Sequence, residues 1–221
     1  AEHGAIVALH DTKDIEAWTE AARSLKESHN VGLISGQLPS WLLDQIGLVV
    51  ISPGVPTNTI PARYVDRKDG LVIGEIELAY RFLKGRIVGI TGSNGKTTTT
   101  TLIGELLKNA GIVTQVGGNI GTPLLNIAET STDDSWTVVE LSSFQLETIK
   151  EFHPNVAICL NVTPNHLDRY DSFTDYAAAK HRIFMNQTAD DVAVLNADDE
   201  ITASWASGLK ANVVQFSVKC E

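Results

Sequence analysis

The stretch Gly89-Ile90-Thr91-Gly92-Ser93-Asn94-Gly95-Lys96-Thr97 constrains this chain most, because it lies between an apolar run (Ile87, Val88) and a helix-like segment. Strand, glycine-rich loop and helix in that order build a phosphate site. Successive backbone N–H groups converge on the anion, the helix N-terminus adds partial positive charge, and Lys96 adds a full one. Thr97 then offers its hydroxyl to Mg2+. The usual pattern places a glycine five residues before Gly95; here that residue is Ile90, with Gly89 and Gly92 nearby. The competing reading is a glycine turn with a chance Lys-Thr, but such a turn needs no three glycines, lysine and hydroxyl ordered at a strand end.

Alternating strand and helix patterns around this loop predict an α/β fold with a mostly parallel sheet. Ala5 to His10 is a β-rich run ending at Asp11-Thr12, the kind of strand end where such sheets bind ligands. Asp14 to Lys26 has helical apolar spacing, and Val31 to Ile34 and Ile46 to Ile51 read as strands. Ser52-Pro53-Gly54-Val55-Pro56 breaks the pattern at a strand end, either as a plain turn or as backbone N–H groups facing a ligand. A short strand and a helix follow within Gly70 to Leu83. A fresh α/β pattern starts after Lys84-Gly85-Arg86, so the expected domains are residues 1–84 and 85–221.

In the second of these, a helix is expected from Thr97 to Ala110, closed by Gly111. Its five threonines, Thr97 to Thr101, are poor helix formers, yet hydroxyls in a first turn suit a phosphate or metal. Strands are expected at Ile112 to Val116, Trp136 to Leu141, Asn155 to Val162, Val192 to Leu195 and Val213 to Phe216. Gly117-Gly118-Asn119-Ile120-Gly121 reads as a second glycine loop, and Ser172 to Gln187 as a helix.

Composition restricts the partners. At 221 residues and 43% hydrophobic content the chain has ample material for a core. Its 17 basic and 27 acidic residues give a net charge of -10, which repels nucleic acid and anionic membrane surfaces. Any bound phosphate must therefore be held by a local site. Cys159 and Cys220 make no disulfide framework, and a reducing compartment fits them better. No run reaches membrane-crossing length, Ala1-Glu2-His3-Gly4 lacks the blocks of a signal peptide, and no initiating Met is present. The expectation is a cytoplasmic protein whose true start lies upstream.

Polar groups at strand ends supply the candidate chemistry. Glu140 follows the apolar Val138-Val139, and a buried carboxylate beside a phosphate loop suits Mg2+, which takes oxygen ligands. The residues alone leave His166 a hydrogen-bonding surface group rather than a ligand, Asp168 and Arg169 an ordinary exposed pair, and Lys180 a solvated helix lysine.

Thr91-Gly92-Ser93-Asn94-Gly95-Lys96-Thr97-Thr98 resembles the ATP loop of the Mur ligase family, which includes folylpolyglutamate synthetase, and accounts for Ile90. Glu140-Leu141-Ser142-Ser143-Phe144-Gln145-Leu146-Glu147 is similar to the motif of the branch that adds D-glutamate to UDP-N-acetylmuramoyl-L-alanine. Asn161 to Tyr170 and Asn196-Ala197-Asp198-Asp199 agree. The resemblance implies an incomplete Rossmann-like UDP-substrate domain followed by a P-loop-type ATPase domain. It also implies a bacterial cytoplasmic enzyme of peptidoglycan synthesis, working as a monomer through an acyl phosphate.

By this resemblance Lys96 and the amides of Gly92, Ser93, Asn94, Gly95, Thr97 and Thr98 hold ATP, while Thr97 and Glu140 hold one Mg2+. His166 becomes a ligand of a second Mg2+, and Lys180 the family lysine whose carbamate joins it. Lys96, His166 and Lys180 are the implied catalytic set. Asp11-Thr12 and Gly54 would read the uridine, and Asn119, Ser142 and Gln145 the pyrophosphate and muramoyl-alanine end. The family residue before the histidine is usually acidic; here it is Asn165. A first strand before Ala1 and a third domain after Glu221, carrying the D-glutamate site, are also implied, so the chain reads as a piece that is inactive alone.

Three alternatives stay open: another Mur-type or folylpolyglutamate-type ligase, which Ser143-Phe144-Gln145-Leu146 disfavours; a nucleotide switch, for which no Asn-Lys-x-Asp follows the loop; and a non-catalytic nucleotide-binding fragment.

Overall fold

A computed structural model describes residues 4–27, 30–60, 72–165 and 169–219. The chain divides into two compact units, Ala1–Gly47 and Leu48–Glu221. In the first, β1 (Val7–Asp11) pairs in parallel with β2 (Val31–Ser35), running from Val7↔Val31 to Asp11↔Ser35. The single helix expected between them is broken. Thr19 starts a fresh helix by accepting the N–H of Ala22, which leaves α1 (Glu20–Ser24) between short 3-10 turns. α2 (Ser40–Leu43) follows β2.

The second unit opens with β3 (Val49–Ile51) and β4 (Val72–Gly74), a parallel pair leading into α3 (Glu75–Tyr80). Then come β5 (Arg86–Thr91), α4 (Lys96–Asn109), β6 (Thr114–Gly118), α5 (Leu124–Ala128), β7 (Trp136–Glu140) and α6 (Ser143–Leu146). β8 (Val156–Cys159), α7 (Phe173–His181), β9 (Val192–Asn196), α8 (Glu200–Trp205) and β10 (Asn212–Phe216) complete it. Six strands form one sheet in the order β10-β9-β8-β5-β7-β6, every neighbour parallel.

Period-two alternation splits the core into the two faces of that sheet. Ile87, Val139, Ala157, Cys159 and Leu195 face α3 and α5 to α7, whereas Val88, Ile90, Val138 and Ile158 pack with Ile103 and Leu107 of α4. The strand order reverses at β5, with β7 and β6 on one side and β8 to β10 on the other. Ligands of open α/β sheets bind beyond the carboxyl ends of strands at such a reversal, which is where the Gly92–Gly95 loop stands.

The contacts do not divide at the expected Lys84–Gly85 junction. Ile76 and Ala79 of α3 lie in the same core as β7 and β8, and the fully buried Glu77 accepts the N–H groups of Lys150, Glu151 and Phe152 at 2.8–3.1 Å. Two glycines expected in the second loop, Gly117 and Gly118, instead end β6. The backbone of Thr122 and Glu140 closes on them so tightly that no side chain fits. Among the described residues no helix is long and apolar enough to cross a membrane.

Candidate nucleotide site

Two glycines shape the loop. Gly92 (φ 150°) and Gly95 (φ 83°) take left-handed backbone conformations that favour glycine, and a side chain on Gly92 would press on Leu160. Asn94, Gly95, Thr97 and Thr98 are exposed at the rim, while Gly92 and Ser93 are buried behind it. The first-turn N–H groups of α4, at Lys96, Thr97 and Thr98, have no carbonyl four residues back within the helix, so they are oriented for an anion.

Not all loop amides point that way. The Oδ1 of Asn161 accepts the N–H of Ser93 at 3.1 Å and of Asn94 at 2.9 Å, while its Nδ2 donates to the Asn94 carbonyl at 3.1 Å. Asn161 thus pins the loop to the end of β8. The sequence signal for it was present in the Asn161 to Tyr170 motif, but an asparagine after an apolar strand does not reveal which backbone it will cap.

Lys96 and Lys180 converge on one oxygen. Lys96 Nζ donates to the carbonyls of Gly92 at 2.9 Å and Ser93 at 3.3 Å, and Lys180 Nζ donates to the same Gly92 carbonyl at 2.8 Å. Lys180 is only 2% exposed, which overturns its reading as a solvated helix lysine: α7 turns it inward beneath the loop. Burial first, and the nearby Lys96 charge second, lower its pKa from 10.5 to about 8.

Opposite the lysines, Glu140 ends β7 at 2% exposure. Thr97 Oγ1 donates to its Oε2 at 2.8 Å and Asn119 Nδ2 donates to its Oε1 at 2.9 Å. A buried carboxylate held, among the described residues, by the neutral donors Thr97 and Asn119, with a hydroxyl oxygen alongside, is an oxygen-rich set of the class Mg2+ takes. Among the described residues no group of three or more His, Cys, Asp or Glu side chains gathers to hold a metal. His166 and Asp168 lie outside the described residues.

The remaining expected site residues separate into two places. Ser142 and Gln145 form a capping box at the start of α6: Ser142 Oγ accepts the Gln145 N–H at 3.2 Å and Gln145 Oε1 accepts the Ser142 N–H at 3.0 Å. Gln145 also borders a cleft lined by Ser52, Pro53, Glu75, Phe144 and Thr148, so the turn at Gly54 and the α6 motif share one wall of the same unit. Asp11 belongs to the other unit, where its carboxylate accepts the Lys13 N–H at 2.9 Å next to Thr12. Arg169 is no simple exposed residue: its guanidinium sits 3.9 Å from the ring centre of Phe144 and 3.9 Å from Glu147. Asp199 caps α8 through Thr202 and accepts the N–H of Val162, which ties β9 to the end of β8.

A model of the Mur ligase middle domain matches residues 90–221, more than half of the chain. UDP-N-acetylmuramoylalanine--D-glutamate ligase of Citrifermentans bemidjiense is 48% identical over 217 residues, covering 98% of this chain and 48% of that protein. The ligase of the same name from Koribacter versatilis is 55% identical over 171 residues, 77% of this chain and 38% of that one. The chain spans about half the length of the curated relatives it matches. Among solved structures, a UDP-N-acetylmuramate:L-alanyl-gamma-D-glutamyl-meso-diaminopimelate ligase from Neisseria meningitides superposes with a TM-score of 0.59 at 17% identity, over 97% of this chain and 71% of that one. MurF ligase from Thermotoga maritima, solved in complex with ADP, gives 0.55 at 21% identity, over 80% and 49%. These two share the fold. The matched residues 90–221 span the loop, Glu140 and Lys180, and the curated relatives are nearly half identical over almost all of the chain: the chain belongs to the Mur ligase family.

Proposed function

We propose that this chain carries the ATP site, and part of the UDP-substrate site, of a ligase that joins D-glutamate to UDP-N-acetylmuramoyl-L-alanine. In this reading residues 1–84 belong to an incomplete Rossmann-like substrate domain and residues 85–221 to the ATP domain. The observation that carries it is the pairing of Thr97 with the buried Glu140 across the mouth of a loop backed by Lys96 and Lys180. The activity in the relatives' names supplies the substrates.

The substrate carboxylate attacks the γ-phosphate of ATP and expels ADP, giving an acyl phosphate; the D-glutamate amine then attacks the acyl carbon, loses a proton and expels phosphate, leaving the amide. Carboxylate and polyphosphate repel each other, so the task of the chain is to offset negative charge in a site that excludes water. Lys96 swings from the Gly92 and Ser93 carbonyls to the β and γ oxygens, and the first-turn amides of α4 fix the phosphate chain. Thr97 and Glu140 would hold one Mg2+, with Asn119 orienting the carboxylate; when bound, the ion neutralises charge on the phosphates. Lys180 as a carbamate, together with His166, would hold a second. The lowered proton affinity of Lys180 favours the neutral amine that combines with CO2.

The test is phosphate release by the whole protein, with ATP, UDP-N-acetylmuramoyl-L-alanine and D-glutamate omitted in turn. Release that needs all three is expected. Equal release with a different amino acid, or without the UDP substrate, overturns the assignment. Lys96→Ala is expected to abolish turnover while UDP-substrate binding survives in the soluble variant.

A further inference from the structure

The Ser93 hydroxyl has one proton and two lone pairs. It donates to the Thr163 carbonyl at 3.0 Å and accepts the Thr163 N–H at 3.0 Å. The Tyr176 hydroxyl, 3.0 Å away, is therefore the donor to the remaining lone pair. Tyr176 is 1% exposed, and one turn further along α7 the Lys180 ammonium lies 4.7 Å from the centre of its ring. One side chain thus touches both the loop residue after Gly92 and the lysine bonded to the Gly92 carbonyl. Its far edge is fixed in turn: Tyr170 meets it edge-on at 5.3 Å and stacks on Phe144 at 5.8 Å.

We propose that Tyr176 is a positioning residue for the nucleotide site, holding the phosphate loop through its hydroxyl and, while Lys180 is the unmodified ammonium, that lysine through its ring face. The inference rests on the nucleotide reading of the loop. Tyr176 and Ser93 stand behind the exposed rim, so neither competes for the phosphates; they set the direction in which the rim amides point. Amide direction matters because binding of an anion by dipoles weakens with small misplacement.

Tyr176→Phe in the whole protein keeps the ring and removes the hydroxyl, and with it the hydrogen bond to Ser93. One neutral hydrogen bond contributes about 1 kcal/mol, or about fivefold in an equilibrium. The expected result is a KM for ATP raised about fivefold, with kcat and the KM for the UDP substrate within about twofold of wild type. Ser93→Ala should raise the same constant, and the double variant should be no weaker than Ser93→Ala alone. An unchanged KM for ATP, an equal rise in both KM values, or a Tyr176→Phe protein that no longer folds each overturns the inference, the last because it makes the hydroxyl a general support of the domain. ADP affinity in Lys96→Ala, measured alongside, separates the layers. Wild-type ADP affinity there overturns the nucleotide reading itself, whereas its loss there with an unaltered Tyr176→Phe overturns only the role of Tyr176.

Discussion

At the scale of single residues, Lys180 shows how the fold changes chemistry. The sequence around it, Ala177-Ala178-Ala179, carries no amphipathic signal, so nothing local reveals that α7 faces this lysine inward; only the family motif pointed there. Once buried next to Lys96 it releases its proton near pH 8, whereas in the unfolded chain it keeps the proton to about pH 10.5. Between those values the unfolded state binds more protons, so the contribution of this group to stability rises with pH across the window. Below pH 8 the buried ammonium costs up to about 3 kcal/mol. Lys180→Met should therefore flatten the increase in urea midpoint between pH 8 and 10.5; parallel curves for variant and wild type would count against it. The same proton release predicts that ligase activity of the whole protein falls when CO2 and bicarbonate are stripped and returns when they are restored. Unchanged rates with a lysine shown by mass to be unmodified would rule out the carbamate.

At the scale of elements, long apolar strands were legible and short capped helices were not. β5, β7 and β8 announce themselves through runs such as Val138-Val139 and Ala157-Ile158, because a parallel sheet buried on both faces leaves little room for polar side chains. α5, α6 and α8 span four to six residues each; α6 and α8 start on the caps Ser142 and Asp199, which read equally well as loop polar groups, and α5 starts after Pro123 with no side-chain cap at all. α4 formed despite its threonines because its inner face packs on the sheet, with Gly104 lying directly against Val116. That contact decides a substitution. Gly104→Ala gains about 1 kcal/mol of helix propensity, but the new methyl meets the stiff, branched Val116, and overpacking costs about 1–3 kcal/mol. A lower melting midpoint is expected, recovered in part by adding Val116→Ala; a raised midpoint for Gly104→Ala alone would show that the helix can move away. Glu77 gives the complementary case, a buried carboxylate that holds three backbone donors of the connection between α6 and β8. Glu77→Ala leaves those donors unpaired and should cost about 3 kcal/mol, read as a shift in urea midpoint; a loss below about 1 kcal/mol would mean that water replaces the carboxylate.

At the scale of the whole molecule, the sequence pattern and the packing answer different questions. The restart of the α/β pattern at Lys84-Gly85-Arg86 marks where the six-stranded sheet begins, with β5 starting at Arg86. Compactness divides the chain earlier, after Gly47, because α3, into which β3 and β4 lead, lies in the core of the large sheet. A ligand that binds the folded state alone stabilises what it touches, by about 2.7 kcal/mol at a hundred times its Kd. If the phosphate loop is the ATP site, that stabilisation enters through residues 92–98, Asn119 and Glu140, all in the Leu48–Glu221 unit. Hydrogen exchange of the whole protein with ATP and Mg2+ should slow at the start of α4 and at the ends of β6 and β7, and leave β1 and β2 unchanged. Removing Mg2+ should weaken the effect most around Thr97 and Glu140, whose oxygens face each other at 2.8 Å. The UDP substrate alone should instead slow exchange around Asp11 and Gly36, where the N–H of Gly36 bonds to the Asp11 carbonyl. ATP protection that appears first in β1 and β2, with none at the loop, would place the nucleotide on the wrong unit and overturn the assignment of the two sites.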